Sequence, residues 1–225
     1  MATVILLRHG RSSANTGGVL AGRAPDVHLD EVGHEQVARA AERVAMLDLA
    51  AVVSSPLERC QETAAAVVAG RSSAPEVVTE DDLTECDYGQ WQGGRIADLA
   101  KDPLWKVVQA EPSRVTFPGG ESMTTMQERA VAAVRHHDRM VEARHGADAV
   151  WVAVSHGDVI KSVLADALDL PLDRFQRLNV GPSSMSVVRY SAERPDVLAV
   201  NTLAGDLGWL ARPAEGPTVG GGRGT

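Results

Sequence analysis

The alternation of hydrophobic and polar positions divides the chain into short apolar runs and longer amphipathic stretches. Short runs of β-branched and other apolar residues predict buried strands at 3–7, 51–53 and 149–154. Apolar residues that recur at helical spacing predict helices at 31–47, 55–70, 123–145 and 159–168. Their order predicts an α/β fold, a single-domain three-layer sandwich with a mostly parallel central sheet and helices on both faces.

The segments between these elements carry signals for turns and helix ends. Ser55 is predicted to cap the helix that follows it, with Pro56 at the first helical position and Glu58 completing a capping box. Residues 76–84 predict a short extended segment, and the sequence LTECDYGQWQGGR is expected to form a loop rather than part of the core. Two late strands are expected at 186–190 and 197–201.

The composition is that of an ordinary globular protein. The chain has 225 residues, of which 44% are apolar and 23% are charged. We expect one domain over residues 1–210 and a disordered, glycine-rich tail over 211–225. The formal charge of −8 disfavours nucleic acid and anionic membranes as partners, so any anionic ligand must be bound by a local cluster of cations.

The sequence favours a cytoplasmic protein. It lacks the pattern of a signal peptide, and its apolar stretches are shorter than a membrane span. Its two cysteines, Cys60 and Cys86, cannot build a disulfide framework or a complete zinc site. A homodimer is compatible with the sequence, although no segment requires one.

Residues suited to phosphate chemistry follow three of the predicted strands. His9, Arg59 and His156 each lie just beyond a strand, at or near the start of a helix. In open α/β sheets, ligands bind beyond the carboxyl ends of the strands, so these three side chains are expected to lie close together there. Arg8 and Arg59 can each bind phosphate oxygens through two N–H groups, and a neutral histidine supplies a nucleophilic lone pair.

Each of these residues has a structural alternative when it is considered alone. A histidine after a strand is more often structural, and isolated residues such as Arg59 and Glu85 are most often solvated. Metal binding by His9 and His156 is disfavoured, because a third ligand at suitable spacing is missing and the adjacent arginines would repel a cation. We therefore predict no metal site and no cofactor.

Four segments together resemble a known family, the histidine phosphatase superfamily, which includes the cofactor-dependent phosphoglycerate mutases. They are LLRHGRSSAN, SSPLERCQETA, LTECDYGQWQG and VSHGDVI, and they occur in the family's order over about residues 3–202. The RHG triplet alone would be a weak signal, whereas four motifs in order are highly specific. The resemblance implies a phosphoglycerate mutase-like fold.

The resemblance also implies a mechanism. His9 would attack phosphorus to form a phosphohistidine, and Glu85 would protonate the leaving group and later activate water. The remaining residues are implied to bind the phosphoryl group or to line the pocket: Arg8, Arg59, His156, Gly157, Asn15, Gly22 and Tyr88. The enzyme would be an acid-type histidine phosphatase that acts without a metal.

Three polar residues near these motifs have two interpretations each. Tyr88 either lines the pocket, as its motif position suggests, or packs within the loop. Asp158 and Lys161 either face the site from the start of a helix or serve as a helix cap and a surface lysine.

Within the resemblance, the region between Gln92 and Glu121 favours the phosphatase branch. It carries few basic residues and lacks the arginine pair of the mutases, and the nearest counterpart of their substrate lysine is Ile96, with Arg95 beside it. The sequence thus predicts hydrolysis of a small phosphorylated metabolite. A phosphoglycerate mutase is the alternative, and an inactive phosphate-binding scaffold is a further one.

Overall fold

A six-stranded sheet forms the centre of the molecule in the computed structural model, which describes residues 2–191 and 193–205. The strands are β1 (Thr3–Arg8), β2 (Leu49–Ser54), β3 (Val77–Thr79), β4 (Val150–Ser155), β5 (Met185–Tyr190) and β6 (Pro195–Thr202). Their order across the sheet is β3-β2-β4-β1-β5-β6. The first four in this order run parallel, and β5 and β6 are antiparallel to their neighbours.

Helices cover both faces of this sheet. They are α1 (Ser13–Gly17), α2 (Glu31–Val44), α3 (Glu58–Val68), α4 (Ile96–Leu99), α5 (Pro103–Ala110), α6 (Met123–His145) and α7 (Gly157–Ala167). One apolar core lies between the sheet and α2 with α3, and the other lies between the sheet and α6 with α7. The predicted three-layer α/β fold with a mostly parallel sheet is therefore confirmed.

The helices begin where the sequence offers a side-chain cap. Asp30 accepts a hydrogen bond from the backbone N–H of Gly33 at the start of α2, and Ser122 accepts one from Thr125 at the start of α6. The long helix α6 ends before Gly146, whose φ of +91° is accessible to glycine without strain. Both helices start at the predicted positions.

The centre of the sheet brings the ends of distant segments together. Strands β1 and β4 are parallel neighbours with Arg8 opposite Ser155, so the residues that follow them, His9 and His156, lie side by side. The backbone N–H of His9 donates to the carbonyl of Ser155 at 3.0 Å. Because β2 is the other parallel neighbour of β4, the segment that leads from β2 into α3 also lies at the carboxyl ends of these strands, near His9 and His156.

Two local predictions were wrong. Helix α3 begins at Glu58 instead of Pro56, and its N-cap residue is Leu57, which provides no side-chain hydrogen bond, instead of Ser55. Ser55 is fully buried at the end of β2, and its hydroxyl hydrogen bonds with the ring of His156. The segment 83–91, expected outside the core, contains buried residues that pack with Met123 and Met126 in the core on the α6 side of the sheet.

Some predictions fall outside what the structure describes. The tail expected at 211–225 is among the residues that are not described, and the domain limits at 1–210 stay a prediction. No helix in the described ranges is both long enough and apolar enough to cross a membrane.

Candidate active site

The imidazole of His9 is held in one tautomer. Its Nδ1 lies 2.7 Å from the carbonyl oxygen of Gly10. A carbonyl oxygen only accepts hydrogen bonds, so Nδ1 must carry the proton and Nε2 the lone pair. The pKa of His9 lies well below its usual value, first because the ring is buried and second because Arg59 and Arg8 are close. His9 is therefore a neutral histidine with a nucleophilic Nε2 at neutral pH.

Glycine is required at position 10 because the chain passes another backbone closely. A Cβ on Gly10 would lie 2.8 Å from the carbonyl oxygen of Gly33 and from a methyl group of Val37. The N–H of Gly10 donates to the hydroxyl of Thr63 at 3.2 Å. This contact between β1, α2 and α3 fixes the turn that carries His9.

Arg59 lies in the first turn of α3, as predicted, and is almost fully buried. Its Nη2 donates to the carbonyl oxygen of Gly22 at 2.9 Å and lies 3.2 Å from Nδ1 of His156. Its Nη1 is buried and has no hydrogen-bond partner among the described residues. A buried donor without a partner is costly, and an anion in the adjacent cavity would satisfy it.

His156 is the N-cap residue of α7 and is fully buried. Arg59 can only donate, so Nδ1 of His156 accepts and its Nε2 donates to the hydroxyl of Ser55 at 2.8 Å. Its ring lies edge-on to that of His9, with centroids 5.2 Å apart. Burial, followed by the charge of Arg59 and by His9, lowers the pKa of His156 well below the usual value.

Arg8 supplies a second positive charge behind His9. Its side chain is fully buried and donates through Nη1 to the carbonyl oxygen of Val180 at 2.8 Å. Burial lowers the pKa of Arg8 to about 10, partly offset by the nearby carboxylates of Glu85 and Asp158. The guanidinium therefore remains charged at neutral pH.

Glu85 is a buried carboxyl group beside these cations. Its Oε1 accepts a hydrogen bond from the N–H of Cys86 at 3.0 Å, and its Oε2 lies 4.0 Å from Nδ1 of His156. Burial, followed by the charge of Asp158, raises the pKa of Glu85 to about 7, although Arg59 and Arg8 oppose the rise. A carboxyl group with this pKa can donate a proton and take one back near neutral pH.

Two arginines that the sequence did not single out hold the backbone of Glu85. Arg23 donates to its carbonyl oxygen at 2.9 Å, and Arg129 donates to the same oxygen at 3.2 Å. The carboxylate of Glu121 joins them, at 2.8 Å from Arg23 and 2.6 Å from Arg129, and also accepts from the N–H of Asp87. These contacts connect the loop that carries Glu85 to the segment around Gly22 and to helix α6.

Tyr88 and Asp158 form a buried pair next to the site. The ring of Tyr88 lines the cavity and is also fully buried, edge-on to the ring of Phe117, so both of its interpretations apply, and its hydroxyl donates to Oδ2 of Asp158 at 2.9 Å. Lys161 is buried rather than a surface lysine, with Nζ 3.1 Å from Oε1 of Gln176 and 3.7 Å from Oδ1 of Asp158. Burial lowers the pKa of Lys161.

A single cavity collects most of the predicted site residues. His9, Arg59, Glu85, Tyr88, Asn15 and Gly22 all line it. Asn15 also accepts hydrogen bonds from the N–H and hydroxyl of Ser12, which caps α1. Gly22 has φ +56°, and its carbonyl holds Arg59. Arg8, His156 and Gly157 are not part of the cavity wall but lie buried behind it.

The described residues include no group of three or more histidine, cysteine, aspartate or glutamate side chains able to hold a metal ion. Cys60 and Cys86 are both buried free cysteines, and burial raises the pKa of Cys60 to about 12.

The sequence of this chain matches the model of a known protein family. The model of the histidine phosphatase superfamily (branch 1) matches residues 4–203. This chain belongs to that superfamily. The order of its motifs and its fold are therefore family features, as the sequence resemblance indicated.

Relatives differ in length and in name. The chain is 37% identical to a bifunctional protein of Mycobacterium tuberculosis over 84% of this chain, but it spans only 50% of that protein. It is 31% identical to the glucosyl-3-phosphoglycerate phosphatase of Mycolicibacterium vanbaalenii, covering 76% of both chains. The structure of a mycobacterial glucosyl-3-phosphoglycerate phosphatase with VO3 superposes with a TM-score of 0.77 at 26% identity, covering 88% of this chain and 98% of that one.

Proposed function

We propose that this chain is a phosphatase that hydrolyses a phosphate monoester through a phosphohistidine on Nε2 of His9. The observation that carries the proposal is the single cavity in which His9, Arg59 and Glu85 meet. It combines a nucleophile with its lone pair on Nε2, a cation with an unsatisfied donor, and a carboxyl group whose pKa is about 7.

In the first step, the lone pair of Nε2 attacks phosphorus and the bond from phosphorus to the ester oxygen breaks. The carboxyl proton of Glu85 goes to that oxygen, so the alcohol leaves neutral. Arg59 and Arg8 compensate the charge of the phosphoryl oxygens, since guanidinium groups match their geometry. The hydrogen bond from Nδ1 to Gly10 holds the ring in place and favours the positive charge that forms on it.

In the second step, water attacks the phosphohistidine. The carboxylate of Glu85 takes a proton from the water, the phosphorus–nitrogen bond breaks, and phosphate leaves with His9 neutral again. Because arginine side chains supply the positive charge, the proposed reaction proceeds without a metal ion.

Two observations favour hydrolysis over phosphoglycerate mutation. The relatives include the glucosyl-3-phosphoglycerate phosphatase above and a phosphoserine phosphatase, beside two probable phosphoglycerate mutases, and the solved structures of similar fold include further phosphatases. Ile96, the nearest counterpart of the mutase lysine, lines the cavity with an apolar side chain. An inactive scaffold is disfavoured because the nucleophile, both arginines, the acid and the second histidine are all in place.

The acid-type activity, the cytoplasmic location and the possible homodimer stay predictions. An acidic to neutral optimum is consistent with the site, because Glu85 must be protonated for the first step and its pKa is about 7. The small phosphorylated metabolite expected as substrate stays a prediction as well.

The test is release of phosphate from an ester panel in the presence of a chelator. The panel contains an aryl phosphate, phosphoglycerates, sugar phosphates and phosphoserine, and the enzymes are wild type, His9→Ala and His145→Ala. His145 is exposed at the end of α6, so its variant controls for loss of a histidine. We expect release by wild type and His145→Ala only. Release by His9→Ala at the wild-type rate would contradict the mechanism, and isomerisation of phosphoglycerate without release would favour the mutase.

A further inference from the structure

The wall of the cavity carries little positive charge. Among the described residues that form it, Arg59 is the only cationic side chain, and the proposed function assigns it to the phosphoryl group. Arg8, the second cation near His9, lies behind the wall. No described cation in the wall is therefore left for another anionic group of the substrate.

The part of the wall away from the reacting groups is mainly apolar. It contains Val19, Leu20, Ala21 and Ile96, and Ser12 with Asn15 adds polar atoms. Leu20 is almost fully buried, whereas the other three apolar side chains are half-buried and available to a ligand.

Backbone hydrogen bonds hold this apolar wall in place. The N–H of Leu20 donates to the carbonyl oxygen of Gly94 at 2.9 Å, and the carbonyl oxygen of Leu20 accepts from the N–H of Gly93 at 2.8 Å. The N–H of Ile96 donates to the carbonyl of Gly18 at 2.9 Å, and Val19 forms an isolated antiparallel bridge with Arg95. The segments 18–20 and 93–96 are thus hydrogen-bonded to each other beside the cavity and carry Val19 and Ile96.

Two of the three neighbouring arginines are already engaged in ion pairs. Arg11 donates to the carboxylate of Asp30 at 2.8 Å, and Arg23 lies 2.8 Å from Glu121. Arg95 precedes Ile96, but its side chain is exposed and does not line the cavity. Redirecting Arg11 or Arg23 toward a ligand would leave its carboxylate partner without its ion pair.

From this arrangement we infer that the substrate is the phosphate monoester of an uncharged, partly apolar alcohol. This rests on the proposed function and narrows its substrate class. A second carboxylate or phosphate would lose water against Val19 and Ile96 without gaining a cation, and that loss is unfavourable. The formal charge of −8 on the chain adds to the discrimination.

Three phosphate esters of benzyl alcohols, which share the same type of ester bond, test this inference. They are benzyl phosphate, 4-carbamoylbenzyl phosphate and 4-carboxybenzyl phosphate, of which the last two have nearly the same shape and differ in charge. We expect wild-type kcat/KM to be about tenfold or more higher for the carbamoyl than for the carboxy ester. We also expect the benzyl ester to be at least as good a substrate as the carbamoyl ester.

A variant pair locates the discrimination. Ile96→Lys should reduce the carbamoyl-to-carboxy ratio by about tenfold, because the ammonium compensates the carboxylate. Ile96→Met has similar length without the charge and should leave the ratio within about twofold of wild type. A reduced ratio in Ile96→Met would show that the shape of the wall, rather than its missing charge, sets the preference.

The outcomes separate the inference from the proposed function. Equal rates for the carbamoyl and carboxy esters, or a preference for the carboxy ester, would overturn the substrate class while leaving a phosphatase. If wild type hydrolysed none of the three esters but released phosphate from phosphoglycerates, sugar phosphates or phosphoserine, the substrate class would fail and the phosphatase would stand; no release from any ester in either set would overturn the proposed function. The wild-type comparison decides the main question even if Ile96→Lys does not fold.

Discussion

The hydroxyl of Tyr88 donates a hydrogen bond to the buried carboxylate of Asp158 at a distance of 2.9 Å. The same carboxylate is, after burial, the main influence that raises the pKa of Glu85. Tyr88 therefore lines the cavity and also contacts Asp158, the carboxylate that raises the pKa of Glu85. This pair links the cavity wall to the protonation of the proposed acid.

Two substitutions of this pair should shift the pH profile in opposite directions. Asp158→Asn removes a negative charge near Glu85, so the pKa of Glu85 falls and the alkaline limb of activity moves to lower pH. Tyr88→Phe removes the donor that compensates Asp158, so the pKa of Glu85 and the alkaline limb rise. The measurement is kcat/KM against pH for both variants and wild type. Shifts in the same direction would show that Asp158 acts on activity by another route.

Loss of the nucleophile should abolish turnover without unfolding the protein. His9→Ala is expected to reduce kcat by about 10⁴-fold or more, because no other side chain in the cavity replaces the lone pair of Nε2. His9 lies beyond the end of β1 and contributes little to the apolar core, so thermal unfolding should change little. Phosphate release and a melting curve check the two parts. A variant that melts far below wild type would leave the kinetic result uninterpretable, and His9→Asn would replace it.

Removal of the acid should matter most for poor leaving groups. Glu85→Gln is expected to slow hydrolysis of an alkyl phosphate by about 10²- to 10⁴-fold, because the leaving alkoxide needs a proton. The effect on 4-nitrophenyl phosphate should be much smaller, since that anion leaves without one. Steady-state rates with the two esters give the comparison. An equal loss for both esters would assign Glu85 to binding or to the hydrolysis of the phosphohistidine.

Two buried histidines should make the fold sensitive to acid. The pKa values of His9 and His156 lie well below 6.5 in the folded chain, so the unfolded chain binds protons more readily. The stability that these two histidines contribute above about pH 6.5 is therefore lost as the pH falls toward their folded pKa values, and protonation of Glu85, whose pKa is raised to about 7, offsets part of that loss. Urea unfolding at pH 7, 6 and 5 measures this loss.

A histidine variant identifies the source of that loss. His9→Asn should show a shallower decline of the free energy of unfolding than wild type between pH 7 and 5, because one of the two contributions is gone. The exposed His145→Ala should decline as steeply as wild type. Equal slopes for wild type and His9→Asn would assign the acid sensitivity to other groups.

Much of the fold follows from local sequence patterns. The strands β1 and β4 appear where short continuous apolar runs predict strands buried on both faces, and the helix α6 appears where apolar residues recur at helical spacing. The placement of His9, Arg59 and His156 beyond strand ends was likewise predictable, and the strand order brings them together. The motifs themselves were sufficient to indicate the family.

Other features depend on which distant residues become neighbours. Ser55 has a good local capping pattern, but its hydroxyl bonds with His156, 101 positions away, and α3 begins later. The sequence left Lys161 either as a residue that faces the site or as a surface lysine, and the structure buries it beside the 3₁₀ helix Leu172–Arg177, where Gln176 accepts a hydrogen bond from its Nζ. A local pattern cannot express either result, because a side chain's burial is set by the elements that pack against it.

The sequence by itself determined the layered fold and the family, and it supplied the candidate site residues. Only the tertiary structure decided that Nε2 of His9 carries the lone pair, that Asp158 and burial raise the pKa of Glu85, and that the cavity wall around Ile96 is apolar. Tautomers, pKa values and cavity walls depend on desolvation and on charges from remote segments. Those interactions exist only after the chain has folded.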